Sequence, residues 1–172
     1  TYSEKKAGLA YAKSFGEKIA AGIQIDYLNS SFNDEFYGNR TSFTVEGGII
    51  AEPISNLKIG IHVFNPTRAK VAEYGDEHIP TIMRFGASYK FSDKVLLSSE
   101  IERDSQFSNV FKTGLEYHPI DVLFIRAGIA SNPTLSSFGF GLKLKQFIVD
   151  VSTQYHQILG FSPQFSLGYE FK

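Results

Sequence analysis

Four histidines, His62, His78, His118 and His156, and a regularly spaced set of acids and bases are the side chains that could do chemistry. No two histidines fall in an H-x-H, H-x-x-x-H or HExxH pattern, so the local sequence offers no metal clamp. Serine, histidine and aspartate all occur, but no Gly-x-Ser-x-Gly turn marks a nucleophile. Zero cysteines exclude thiolate chemistry and a disulfide framework. The chain therefore reads as non-enzymatic, with no cofactor and no metal expected.

The acids and bases fit a different role. Glu100, Glu102 and Glu116 are placed to face Arg84, Lys112 and Arg126 on neighbouring strands, as cross-strand ion pairs. Such a lining either selects permeants by charge or neutralises itself as a ladder that stiffens a wall. The interleaving of signs favours the ladder.

Those positions presuppose strands. Apolar and polar residues alternate in run after run, and side chains on a strand alternate sides. In 18–30, Ile19, Ala21, Ile23, Ile25 and Tyr27 share one face, and Ala20, Gly22, Gln24 and Asp26 share the other. The reading gives strands over 6–15, 18–30, 41–52, 57–65, 81–91, 95–104, 109–118, 122–131, 136–145, 147–157 and 163–172. The polar face collects Asp26, Glu46, Lys58, His62, Arg84, Lys90, Glu100, Glu102, Lys112, Glu116, Arg126, Lys143, Lys145, Asp150 and Glu170. The apolar face includes Ile59, Ile61, Leu97, Leu115, Ile125, Phe140, Val149, Val151 and Leu167. Lys13 and Arg103 are the charges that intrude on it, both near strand ends.

Repeated amphipathic strands without a helix fit an antiparallel up-and-down transmembrane β-barrel, lipid outside and a polar lumen inside. The expected lumen lining is Glu46, Lys58, His62, Arg84, Glu100, Glu102, Lys112, Glu116, Arg126, Lys143 and Asp150; the expected lipid-facing set is Ile59, Ile61, Leu115, Ile125, Phe140, Val149, Val151 and Leu167. Sixteen Phe and nine Tyr suit interfacial girdles, although Trp is missing. No run approaches the 18 apolar residues of a membrane helix. A net charge of −1 gives no case for nucleic acid.

Connections alternate in length. Short turns fall near Gly16, Glu52–Asn56, Ser92-Asp93, Pro119 and Gln146; longer loops cover 31–40, 65–80, 105–108, 131–135 and 157–163. The loop 65–80, with Arg68, Lys70, Glu73, Asp76, Glu77 and His78, is expected to be a solvated rim. Two copies of Asn-Pro-Thr, at 65–67 and 132–134, read as strand stops. Residues 1–172 are taken as a single domain, the C-terminal portion of a longer barrel. Eleven antiparallel strands cannot close on themselves, so an odd number of further strands, one or three, is expected ahead of Thr1.

Four stretches carry a family resemblance: Ala7-Gly8-Leu9-Ala10-Tyr11-Ala12-Lys13-Ser14-Phe15-Gly16, Phe43-Thr44-Val45-Glu46-Gly47-Gly48, Phe64-Asn65-Pro66 and Ser137-Phe138-Gly139-Phe140-Gly141. They resemble the C-terminal two-thirds of outer-membrane barrels in the long-chain fatty-acid transporter superfamily, including shuttle-type barrels of type IX secretion. The resemblance implies fourteen strands and the outer membrane of a Gram-negative bacterium. It also implies a lipid-bilayer environment and binding or passage of a small hydrophobic molecule. One alternative is a secretion-machinery barrel that docks protein partners. Another is a soluble lipocalin-like carrier, with Ile59, Ile61, Leu97 and Val149 turned inward around a ligand.

Overall fold

The computed structural model describes residues 2–32, 39–70 and 78–171. They form eleven strands: β1 (Tyr2–Phe15), β2 (Ile19–Phe32), β3 (Asn39–Ile54), β4 (Leu57–Phe64), β5 (Ile82–Ser92), β6 (Val95–Asp104), β7 (Val110–Ile120), β8 (Leu123–Ala130), β9 (Leu135–Leu144), β10 (Phe147–His156) and β11 (Gly160–Tyr169). Each pairs antiparallel with its neighbours in chain order, giving one up-and-down sheet. Among the described residues β1 and β11 do not pair with each other, so the sheet is open.

Turn chemistry explains the tight ends. Gly16 and Asn56 sit at φ +70° and +77° in two of the short connections. Glycine takes that conformation without steric cost and asparagine tolerates it. The sheet's irregularities, at Ala51/Ile54, Lys90/Ser92 and Tyr117/Ile120, also fall beside short connections. Bulges there bend and twist a strand as it reverses.

Two strand starts differ most from expectation. β1 begins at Tyr2 because Tyr2 through Lys6 pair with Phe32 through Leu28, extending a hairpin whose polarity pattern has already faded. β11 begins at Gly160, so residues 157–163 do not form a long loop. Pro163, the expected first residue of this strand, lies inside it, opposite Thr153. β11 is an edge strand, where the donor that proline lacks need not reach a neighbour.

The register fixes the two faces. One row reads Gly48, His62, Arg84, Glu102 across β3 to β6; the adjacent opposite-face row reads Ile49, Ile61, Phe85, Ile101. Burial is inverted relative to a water-soluble domain. No described hydrophobic residue is buried, while Asp26, Ser42, Thr44 and Asn65 are. Ile61, Leu115, Phe140, Val151 and Leu167 are all exposed, Leu167 at 64 %.

Glycines on the polar face make room for long side chains. A Cβ at Gly141 would lie 2.5 Å from Asp150 Oδ1, 3.1 Å from Arg126 Nη1 and 3.3 Å from Phe124 Cβ. A Cβ at Gly114 would meet only the Ala127 carbonyl oxygen, at 3.6 Å. We therefore expect Gly141→Ala to cost about 1–3 kcal/mol by crowding an ion pair. Gly114→Ala is expected to be neutral or slightly stabilising, because alanine suits a strand better than glycine. Denaturant unfolding of the protein in lipid vesicles measures both; the reverse ranking would contradict the packing described.

Candidate functional site

The polar face curves around an open-sided cavity of about 1560 Å³, bordered by residues from β1 to β10. Ten strands thus curve around one shared space, with the polar face concave. Of the expected lining residues, Glu46, Lys58, His62, Arg84, Glu100, Glu102, Lys112, Glu116, Arg126 and Asp150 border it. Lys143 does not. It lies toward the short-connection end, where its ammonium meets Glu170 at 3.0 Å.

Ile59, Ile61, Leu115 and Val151 border the same space, as members of a one-layer wall, but alternation sends their side chains to the opposite face. Ile125, Phe140, Val149 and Leu167 share that apolar face through the pairs Ile125–Phe140, Phe140–Val151 and Val149–Leu167.

The charges fall into three networks. In the first, Lys6 reaches Asp26 at 3.0 Å and Glu46 at 3.2 Å, and Gln24 Nε2 donates to both carboxylates. His62 Nε2 lies 3.0 Å from Glu46 Oε2. In the second, Arg84 meets Glu102 at 2.6 Å, and Lys112 bridges Glu102 at 2.9 Å and Glu100 at 3.1 Å. In the third, Arg126 is held between Glu116 and Asp150, and His118 Nε2 meets Glu116 at 2.7 Å. Phe124 lies under the Arg126 guanidinium at 5.4 Å and edge-on to His118 at 4.3 Å. A polar strip without charge, Ser88, Ser98, Gly114, Gly128 and Ser137, separates the second network from the third.

Pairs of Glu100, Glu102 and Glu116 with Arg84, Lys112 and Arg126 were legible in the spacing. Lys6 and Gln24 were not among the expected lining residues. Their signal was Asp26 on the same face, a carboxylate whose neighbours in register had to neutralise it. The two remaining histidines serve local structure. His156 Nδ1 accepts hydrogen bonds from the amides of Ile158 and Leu159, and His78 Nδ1 lies 2.7 Å from the Arg68 carbonyl.

The β4–β5 connection departs from a solvated rim in its described parts. Asn65 is fully buried; its Nδ2 donates to the Ile79 carbonyl, and its Oδ1 accepts from Thr67 Oγ1 and the Ala69 amide. Thr81 Oγ1 donates to the Asn65 carbonyl, and the Ile79 amide donates to the Ala69 carbonyl. Ser42 Oγ, on the concave face of β3, donates to the Lys70 carbonyl at 2.7 Å. The base of this connection therefore folds back over the inside of the wall. Glu73, Asp76 and Glu77 lie outside the described residues.

No family model and no curated protein matches the sequence. Among solved structures, a five-substitution variant of Rh. blastica porin is similar over 99 % of this chain and 81 % of its own, with TM-score 0.55 and 9 % identity. A two-substitution variant of the same porin gives the same values. At this identity the likeness shows the fold alone: the wall of a β-barrel.

Proposed function

We propose that this chain forms part of the wall of a non-enzymatic outer-membrane β-barrel in a Gram-negative bacterium, whose lumen binds or passes small molecules. One observation carries the reading. Among the described residues the apolar face has no protein cover, while the polar face curves around a cavity. In water, an exposed apolar surface of this extent would be an aggregation liability. Against lipid it is the expected exterior.

Aromatic pairs support the same reading. On the outer face, Phe147 packs against Tyr169 at one end of β10–β11, and Tyr155 against Phe161 at the other. Along β10 the two pairs are separated by the span from 147 to 155, roughly 26 Å of strand; a tilt of about 40° leaves a height of roughly 20 Å. That approaches the apolar band of an outer-membrane barrel, about 25 Å tall between its girdles.

The lining bears on the solute. The large inward apolar side chains that border the cavity, Ile50, Leu96, Val110 and Leu135, do not touch one another in register; among apolar side chains, Ile50 and Leu135 face only the small Ala20 and Ala130. A hydrated passage for small polar solutes suits this surface better than the hydrophobic ligand that the fatty-acid transporter resemblance implies. A second reading, docking of a secretion partner, draws on exposed apolar residues in the β6–β7 and β10–β11 connections: Phe107, Ile158 and Leu159.

Two experiments test the proposal. Ile61→Arg or Val149→Arg should destabilise the protein in bilayers by about 2–4 kcal/mol, whereas Lys143→Gln should change little. Equal tolerance on both faces would remove the lipid-facing assignment. Separately, Ser98→Cys and Ser137→Cys should react with a charged thiol reagent in vesicles, and Leu115→Cys and Ile125→Cys should resist it. The opposite labelling pattern would restore the soluble-carrier alternative.

A further inference from the structure

The bases in the three networks are all engaged by acids. Arg84, Lys112, Arg126 and Lys6 each hold one or two carboxylates. Six carboxylates stand against these four bases, so a solute anion passing them meets no free cation. Lys58 is different: it borders the cavity, and it makes no ion pair among the described residues.

Its surroundings are suited to an oxyanion. Lys58 stands directly opposite Ser88 in the β4–β5 register, which places their Cβ atoms about 4.5–5.5 Å apart. Lys90, two residues beyond Ser88 on the same face, is the diagonal neighbour at about 7–8 Å. Both lysine stems are long enough for their ammoniums to converge above the serine hydroxyl. Lys90 does bond Asp93, at 2.8 Å, but Asp93 is 98 % exposed in a turn. Water and salt weaken such a pair, so a second anion can compete for the ammonium. The acid nearest along the row from Lys90, Glu116, is taken by Arg126 and His118. On the lumen side the next residue on this face of β4 is Gly60, where a Cβ would meet nothing nearer than 3.9 Å. The approach is open.

We propose that Lys58, Ser88 and Lys90 form an anion-binding site at the short-connection mouth of the cavity, for the phosphate or carboxylate group of a small solute. The site rests on the reading of the cavity as a hydrated passage and names the solute class that passage favours. Two ammoniums and a hydroxyl supply charge-assisted donors to an oxyanion, which chloride, as a single sphere, uses less well.

Inorganic phosphate is the probe. Line broadening of its phosphorus NMR signal by the full chain in detergent micelles reads binding without requiring conduction. The expected result is saturable broadening that Lys58→Gln/Lys90→Gln weakens about tenfold or more, as for the loss of two charge-assisted bonds. Ser88→Ala should weaken it less, and Lys143→Gln should leave it unchanged. No saturable binding, or binding that the double variant retains, would overturn the site. Planar-bilayer conductance separates the two readings. Phosphate binding without any conductance would count against the passage and leave the site standing; conductance with no phosphate binding would do the reverse.

Discussion

A strand is one residue thick, and its side chains alternate sides; everything else in this molecule depends on that constraint. Among the described residues the sheet is a single layer, covered on its concave face only where the base of the β4–β5 connection folds over β3. Each face must therefore match its own solvent. The sequence meets this with strict alternation: His62, Arg84 and Glu102 on one side, Ile61, Phe85 and Ile101 on the other. A slip of one residue in any strand pairing would put charges into the apolar face along its whole length. Register is thus fixed by the two faces together.

The concave face has its own difficulty. Many charged side chains project from a curved wall into a limited volume. Interleaving acids with bases resolves it, since each carboxylate of the second and third networks has a cation within reach. Glycine is the other half of the arrangement. Without a Cβ at Gly141, Asp150 and Arg126 can lie flat across β9, where any larger residue would lift them into the lumen. Cation and glycine positions are consequently coupled. Neither makes sense alone.

Strand number, chain-order pairing and which residues share a face were legible because period-two alternation is a local signal that survives in each strand. So were the pairs around Glu102 and Glu116, which follow once register is set. What escaped the sequence was information carried by a partner. Nothing in the run from Tyr2 to Lys5 announces a strand; Phe32 through Asn29 make it one. The start of β11 at Gly160, ahead of Pro163, is likewise set by its pairing with β10. Lys143 shares a face with the lining residues, but depth along the strand, invisible in alternation, puts it beside Glu170 and away from the cavity.

Asn65 shows the same limit most sharply. In sequence it is the first residue of an Asn-Pro-Thr stop, equivalent to Asn132. Both adopt positive φ, +50° and +48°. Yet Asn132 is exposed and makes one side-chain bond, to the Asn109 carbonyl, whereas Asn65 is buried and organises both arms of its connection. The difference comes from Ser42, whose concave-face hydroxyl holds the Lys70 carbonyl against the wall. Once that contact draws the connection inward, polar backbone groups leave water and must be satisfied. Asparagine can do so in both directions, donating to Ile79 and accepting from Ala69, without carrying a charge into the covered space. The same motif is therefore a simple stop at one rim position and the organising residue of an inward fold at another, where Ser42 of the facing strand holds the connection.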